Sequence, residues 1–333
     1  MLIRTFRKAQ WHSPFLLLLL GALFWGSSFL DPAGALDRIA DDNAPLYELL
    51  LPWIMDYPGI SVALAFLMLM GQVFLVNHIA TSKGFTDRFS ALPALLYLLL
   101  MSSTPGMTGP HPVLIANIFL LLGLNKIFKA YRESQAIMEV LNVGLLLAVA
   151  GLFYFPALPL LLLLIFSLFP YFPASLRTLL AALMGFIIPF FFLGVYYYMF
   201  DMLGEKLDTV SIAIQPLEVF RQSLDMYQQA FAVVLGLLSV FAFLRLLLLY
   251  MPDKPIRVRK RIMVLSLFFL LSVLTYLVTV DYVYVHHGVL IIPLSIALAV
   301  FFSDIGKKKL AEVVFTILFL LILGGRFSAY FIF

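Results

Sequence analysis

The sequence has no cysteine and little charge. Without cysteine there is no disulfide, no thiolate metal site and no cysteine nucleophile. Only 12% of the residues are charged, about half the share usual in a soluble domain. There is no Walker loop, no glycine-rich dinucleotide turn and no paired-histidine metal motif. Nothing therefore supports a nucleotide-driven pump or a soluble-type redox enzyme, and no cofactor is implied. No internal repeat is apparent, which leaves out the signature of many inverted-repeat transporters. The basic clusters lack interleaved stacking aromatics, so nucleic acid is not an expected partner.

What the chain does have is oil. Hydrophobic residues make up 63% of it, in long runs. A water-soluble fold cannot hide that much apolar surface, so lipid must be the solvent for most of the chain. About 20 apolar residues cross a bilayer as a helix. That rule predicts an all-helical polytopic bundle of about eleven spans in one integral membrane domain, residues 1–333. The spans fall at 13–30, 59–81, 89–104, 112–128, 138–155, 157–172, 177–200, 229–250, 262–280, 288–303 and 310–326. Pro156 and Pro159 divide the tract at 138–172, which reads either as a tight helical hairpin or as one broken element. The run from Pro14 to Leu30 is longer than a signal-peptide core and many spans follow, so an uncleaved first helix is expected.

Lys and Arg orient the bundle through the positive-inside rule. With the N-terminus in the cytoplasm and the C-terminus outside, only Arg38, Lys206, Arg221 and Arg326 of the 22 basic residues lie on the outer side. The inner clusters, 251–261 and Lys307 to Lys309, suit anionic lipid headgroups. The long outer segments are 31–57 and 201–228. The first is strongly acidic, and its Leu46, Leu49, Leu50 and Trp53 are placed to anchor it in the interface, with Pro52 preventing a regular helix through them. In the second, Leu217, Phe220, Leu224 and Tyr227 share a helical face and predict an interfacial helix. Tyr196, Tyr197, Tyr198, Tyr282 and Tyr284 read as an aromatic belt.

No ionisable residue is expected at mid-membrane depth, which counts against an ion-coupled carrier. Gln72, Asn117 and Asn142 are polar there, and bonds between helices explain them. Candidate chemistry gathers instead at the outer face. Asp41, Asp42 and Glu48 are carboxylates available as a base. Tyr47, Thr108, His111, Asp281, His286, His287 and Arg326 come from separate outer segments. Imidazoles carry protons and an Arg clamps phosphate. Among the carboxylates Asp42 ranks first, with Asp41 as its neighbour and Glu48 in reserve. Asp41 and Asp42 directly precede the apolar NAPLYELLL segment, which would hold them at interface depth. The histidines have no diagnostic metal spacing.

Two resemblances follow from particular segments. NAPLYELL, TDRFSALPALLYLLLMSS, IFKAYRESQA and VGLLLAVAGLFYFPAL resemble an uncharacterised multi-spanning inner-membrane family of Bacteroidota. That resemblance implies an inner-membrane location and no particular activity. The N-in first helix, the acidic first outer loop with its amphipathic element, and the many following spans resemble GT-C membrane glycosyltransferases. That second resemblance implies a polyprenyl-phosphate-linked sugar donor, with Asp41 or Asp42 in the active site. The chain is short for that class and lacks its large soluble C-terminal domain. The rival readings are a non-enzymatic subunit of an envelope assembly or secretion complex, with envelope proteins as partners, and a lipid or envelope-precursor transporter. An enzyme should bring the outer acids into one pocket. A scaffold should leave them dispersed, and a carrier should show a polar path through the bilayer centre.

Overall fold

Proline sets where many of the helices begin. The first helix, α1 (Ser13–Leu30), has a proline in its first turn. The next three, α2 (Pro32–Leu36), α3 (Pro45–Asp56) and α4 (Pro58–Ser82), each open on one. So does α6 (Pro112–Lys129), while α5 (Leu92–Met101) has Pro93 second. At these positions the missing N–H costs nothing and the fixed φ suits the first turn. The remaining helices are α7 (Ala136–Phe153), α8 (Leu161–Tyr171), α9 (Leu176–Met199), α10 (Met226–Arg245), α11 (Ile256–Val278), α12 (Val283–Asp304) and α13 (Lys308–Phe327). This computed structural model describes residues 6–7, 12–37, 44–129, 136–171, 176–204, 206, 226–278, 283–305 and 308–327. Among them there is no strand.

Six of the described helical segments are long and apolar enough to cross a membrane: Ser13–Leu30, Pro58–Ser82, Pro112–Lys129, Leu176–Met199, Val233–Asp253 and His287–Asp304. They differ in what surrounds them. The His287–Asp304 window is 78% buried inside the protein, whereas the most apolar window of Leu176–Met199 is 22% buried. So α12 is the central helix and α9 a peripheral one, presenting Met184, Ile187, Phe191 and Phe192 outward.

Three expectations change. The stretch 89–104 is not one long helix. It folds as the ten-residue α5, every residue of which is buried. At 1.5 Å per residue α5 is about 15 Å long, half a bilayer core. Pro105 and the glycines after it stop the helix and start a buried loop. Secondly, α3 runs through Pro52 to Asp56. Pro52 removes one hydrogen bond, and partly exposed α3 absorbs that loss without ending. Leu49, Leu50 and Trp53 are exposed on it. Thirdly, Tyr197 is buried while Tyr196 and Tyr198 are exposed, because consecutive residues on a helix point about 100° apart. The tract at 138–172 is two helices joined by a 3-10 turn, Phe155–Leu160, that contains both prolines. The amphipathic segment expected at 217–227 lies mostly outside the described residues.

Contacts sort the helix ends into two sets. At one end, arginines bond helix C-termini. Arg7 donates to Ser303 O, and Arg245 to the carbonyl and the carboxylate of Asp304, each at 3.0 Å. Arg261 donates to Lys83 O and Phe128 O. Tyr250 reaches Phe85 O at 2.7 Å. Here α4 closes in a Schellman turn, with Gly84 at φ 82° and Phe85 N on Ala80 O. The opposite end carries His111, His287 and Arg326. Between the ends, α7 and α9 pack at a glycine crossing. A Cβ on Gly144 would fall 2.5 Å from Ala182 O, and one on Gly185 2.2 Å from Leu141 O. Only glycine allows two backbones so close.

Candidate functional site

The loop Ser102–His111 between α5 and α6 is the centre of the histidine end. Irregular backbone inside an apolar bundle is tolerated only where protein or a cavity surrounds it. Here Ser102, Ser103, Met107, Thr108 and His111 are all buried. Three elements clamp the loop. From α1, Trp25 Nε1 donates to Ser102 Oγ at 3.2 Å, and Ser28 Oγ lies 2.9 Å from Thr108 Oγ1. From α3, the Tyr47 hydroxyl donates to Pro110 O at 3.1 Å. From α12, Gly288 sits so close that a Cβ there would be 2.6 Å from Val113 and 3.0 Å from Met107.

His111 ends the loop and starts α6. Its Nδ1 accepts from Leu114 N at 3.2 Å, which satisfies one of the donors exposed at a helix start. The proton therefore sits on Nε2, which faces Met107 O at 3.2 Å. Burial pushes the imidazole pKa down to about 3, and the nearby His287 adds to this against the pull of the Met107 carbonyl. The ring is neutral and structural in this arrangement.

Arg326 is the most buried charge of the described residues, 1% exposed. Its Nε donates to Phe24 O at 2.9 Å and its Nη2 to Ser27 Oγ. The α1 turn that holds Arg326 is the one whose Trp25 and Ser28 hold the loop. Tyr47, His111, His287 and Arg326, four of the candidate residues, thus surround one short stretch of α1 and the sunken loop.

The described carboxylates are elsewhere. Glu48 is next to Tyr47, but the helical step turns it to the other side, where it pairs with Lys206. Asp31 caps α2, its Oδ1 accepting from Gly34 N at 3.0 Å. Asp41, Asp42 and Asp281 lie outside the described residues, as does the side chain of His286. Among the described residues no group of three His, Asp or Glu is placed to hold a metal ion.

A second polar group lies deeper. Tyr97 on α5 donates to Gln72 Oε1 on α4 at 2.6 Å, and Gln72 Nε2 donates to Leu114 O at 2.7 Å. Asn117 Nδ2 reaches Tyr97 Oη at 3.3 Å and Gly288 O at 3.0 Å. Gln72 and Asn117 do bond between helices. The roles of Trp25, Ser28, Tyr97 and Gly288 are not assigned from the sequence alone. The signal for them is the run SSTPGMTGPHP, two serines and a Pro/Gly-rich stretch directly after ten apolar residues.

Comparison of the chain with family models, curated proteins and solved structures gives no match.

Proposed function

We propose that the protein is an inner-membrane protein of about eleven spans, N-terminus in the cytoplasm, whose histidine end faces the periplasm. There it acts on a polyprenyl-phosphate-linked substrate, as a transferase of the GT-C kind. The single observation that carries this reading is Arg326. A guanidinium buried among apolar helices is expensive and marks a functional position by default. A carbonyl and a hydroxyl of α1 hold it in place, and a guanidinium is the side-chain group best shaped to grip a phosphate. Asp42, with Asp41, supplies the base in this reading; the two precede α3 in the sequence, and α3 exposes Leu49, Leu50 and Trp53 for an interface. Anionic lipids contact the basic end on the cytoplasmic side.

The test is complementation of a deletion strain with variants expressed at the wild-type level. Asp42→Asn removes the charge and keeps the shape. Loss of function with normal insertion, beside a silent Asp31→Asn, supports the transferase. If Asp42→Asn, Asp41→Asn and the double variant all complement, the transferase reading is dropped.

One observation favours a second reading, a scaffold subunit of an envelope assembly. The described acids of this end do not converge: Asp31 caps a helix, Glu48 is paired with Lys206, and Asp56 ends α3. Co-purification of a stoichiometric envelope protein, with the acid variants fully active, would establish it.

A further inference from the structure

We propose that the basic end holds one phospholipid with two phosphates, of the cardiolipin class, where the start of α11 meets the loop after α4. This inference rests on the reading that the basic end contacts anionic lipid, and it is independent of the transferase reading.

Two short segments are fastened together there. Tyr250 Oη donates to Phe85 O at 2.7 Å, and Arg261 Nη1 donates to Lys83 O at 2.8 Å. A Cβ on Gly84 would lie 3.3 Å from Val258, so the loop backbone rests on the first turn of α11. The segments 83–88 and 250–261 hold seven bases and two acids, Asp87 and Asp253. Arg259 donates to the carbonyls of Lys254 and Pro252, and Lys254 Nζ stands 4.1 Å from the centre of the Tyr250 ring. Carbonyls and a ring order these cations without cancelling their charge. The first turn of α11 has no acid, and the positive end of its helix dipole adds to the same field.

Two arginines of the patch are exposed, Arg88 on the loop and Arg257 on α11. Each is next in sequence to a large apolar side chain that is also exposed, Phe89 at 72% and Ile256 at 66%. Burying such a side chain is worth about 1.5–3 kcal/mol. At a bilayer surface both enter the acyl layer, which holds the guanidinium beside each at the depth of the phosphates. A guanidinium grips a phosphate through two parallel bonds. Two such arginine–apolar pairs, on two elements bonded to each other, fit a headgroup with two phosphates and acyl chains beside them. One phosphodiester would leave most of the positive surplus uncancelled. A free phosphate would meet the same arginines and offer nothing to Phe89 and Ile256. Basic pockets between helix ends on the cytoplasmic side are where doubly charged headgroups bind.

The experiment is thermal unfolding of the purified, delipidated full-length protein in neutral detergent. Cardiolipin, phosphatidylglycerol, phosphatidylcholine or inorganic phosphate is added at equal phosphate. We expect cardiolipin to raise Tm saturably, phosphatidylglycerol to act more weakly, and the other two to have no effect. Arg88→Gln with Arg257→Gln should weaken the apparent affinity for cardiolipin at least tenfold. The control, Arg177→Gln with Lys309→Gln, removes equal charge from exposed positions on α9 and α13, and Arg177 also has an exposed apolar neighbour, Leu176. It should change the affinity less than about twofold. Native mass spectrometry of the wild type, expected to show one retained cardiolipin per chain, does not depend on a variant folding. No response to either anionic lipid would overturn the anionic-lipid reading and this site with it. Equal action of phosphatidylglycerol and cardiolipin, an equal effect of inorganic phosphate, or no retained cardiolipin would overturn the two-phosphate lipid alone. Equal loss in the two double variants would overturn its placement at Arg88 and Arg257.

Discussion

Arg261 on α11 donates through Nη1 to the carbonyl of Lys83, at the end of α4, at 2.8 Å. Its Nη2 reaches Phe128 O at the end of α6. One side chain therefore ties the C-termini of two other helices, where carbonyls have no intrahelical partner. Arg259 is spent similarly, on Lys254 O and Pro252 O at 2.7 Å each. Part of the basic cluster is thus a set of helix locks rather than a lipid-binding surface. Arg261→Gln should destabilise the purified protein by about 2 kcal/mol, read as a drop in Tm. Arg257→Gln, at an exposed position, should cost distinctly less.

The crossing of α7 and α9 makes a sharper prediction. Gly185→Ala places a methyl against the Leu141 carbonyl, which is backbone and cannot move aside alone. The helices must separate, at a cost of about 2–3 kcal/mol. Gly194 and Gly236 have open space where a Cβ would project, so Ala at either should be tolerated. Chemical or thermal denaturation of the three variants in parallel would show the contrast.

His111 gives stability a pH dependence. Its folded pKa, about 3, lies below the ordinary 6.5. The unfolded chain therefore binds a proton first as pH falls. The contribution of neutral His111 is fully present above pH 6.5 and is lost as pH drops toward about 3, at up to about 1.4 kcal/mol per pH unit. His111→Asn should flatten the decline of Tm between pH 6.5 and about 4 relative to wild type. A decline of unchanged slope would mean that other groups carry it.

Orientation can be read directly because the chain has no cysteine. Ala40→Cys should react with an impermeant thiol reagent in cells with a permeabilised outer membrane. Ile256→Cys should react only after the inner membrane is broken. The reverse pattern would invert the bundle.

Long apolar helices are legible in the sequence because a run of about 20 apolar residues has one cheap solution in lipid. Ser13–Leu30 and Pro58–Ser82 show this, matching the expected 13–30 and 59–81 closely. The half-length α5 is not legible. Hydropathy scores LPALLYLLLM by its composition and cannot tell a lipid-facing helix from one buried on every side. Proline misleads at Pro52, where little packing depends on the lost bond. In the candidate site, the chemistry of His111, Tyr47 and Arg326 singles them out. Their clustering stays hidden because it comes through α1, whose Phe24 to Ser28 are ordinary helix residues in the sequence. Glu48 is separated from Tyr47 by one helical step, which no composition argument resolves.

In the proposed function the Arg326 end receives a polyprenyl-phosphate-linked lipid. Native mass spectrometry of the protein, extracted gently from its own membranes, measures this most directly. Wild-type protein is expected to carry a polyprenyl-phosphate lipid above the phospholipid background. Folded Arg326→Gln should lose it by about tenfold, the loss of roughly one charge-assisted bond. Wild-type protein carrying only bulk phospholipid, or an Arg326→Gln variant with undiminished polyprenyl-phosphate, would contradict it.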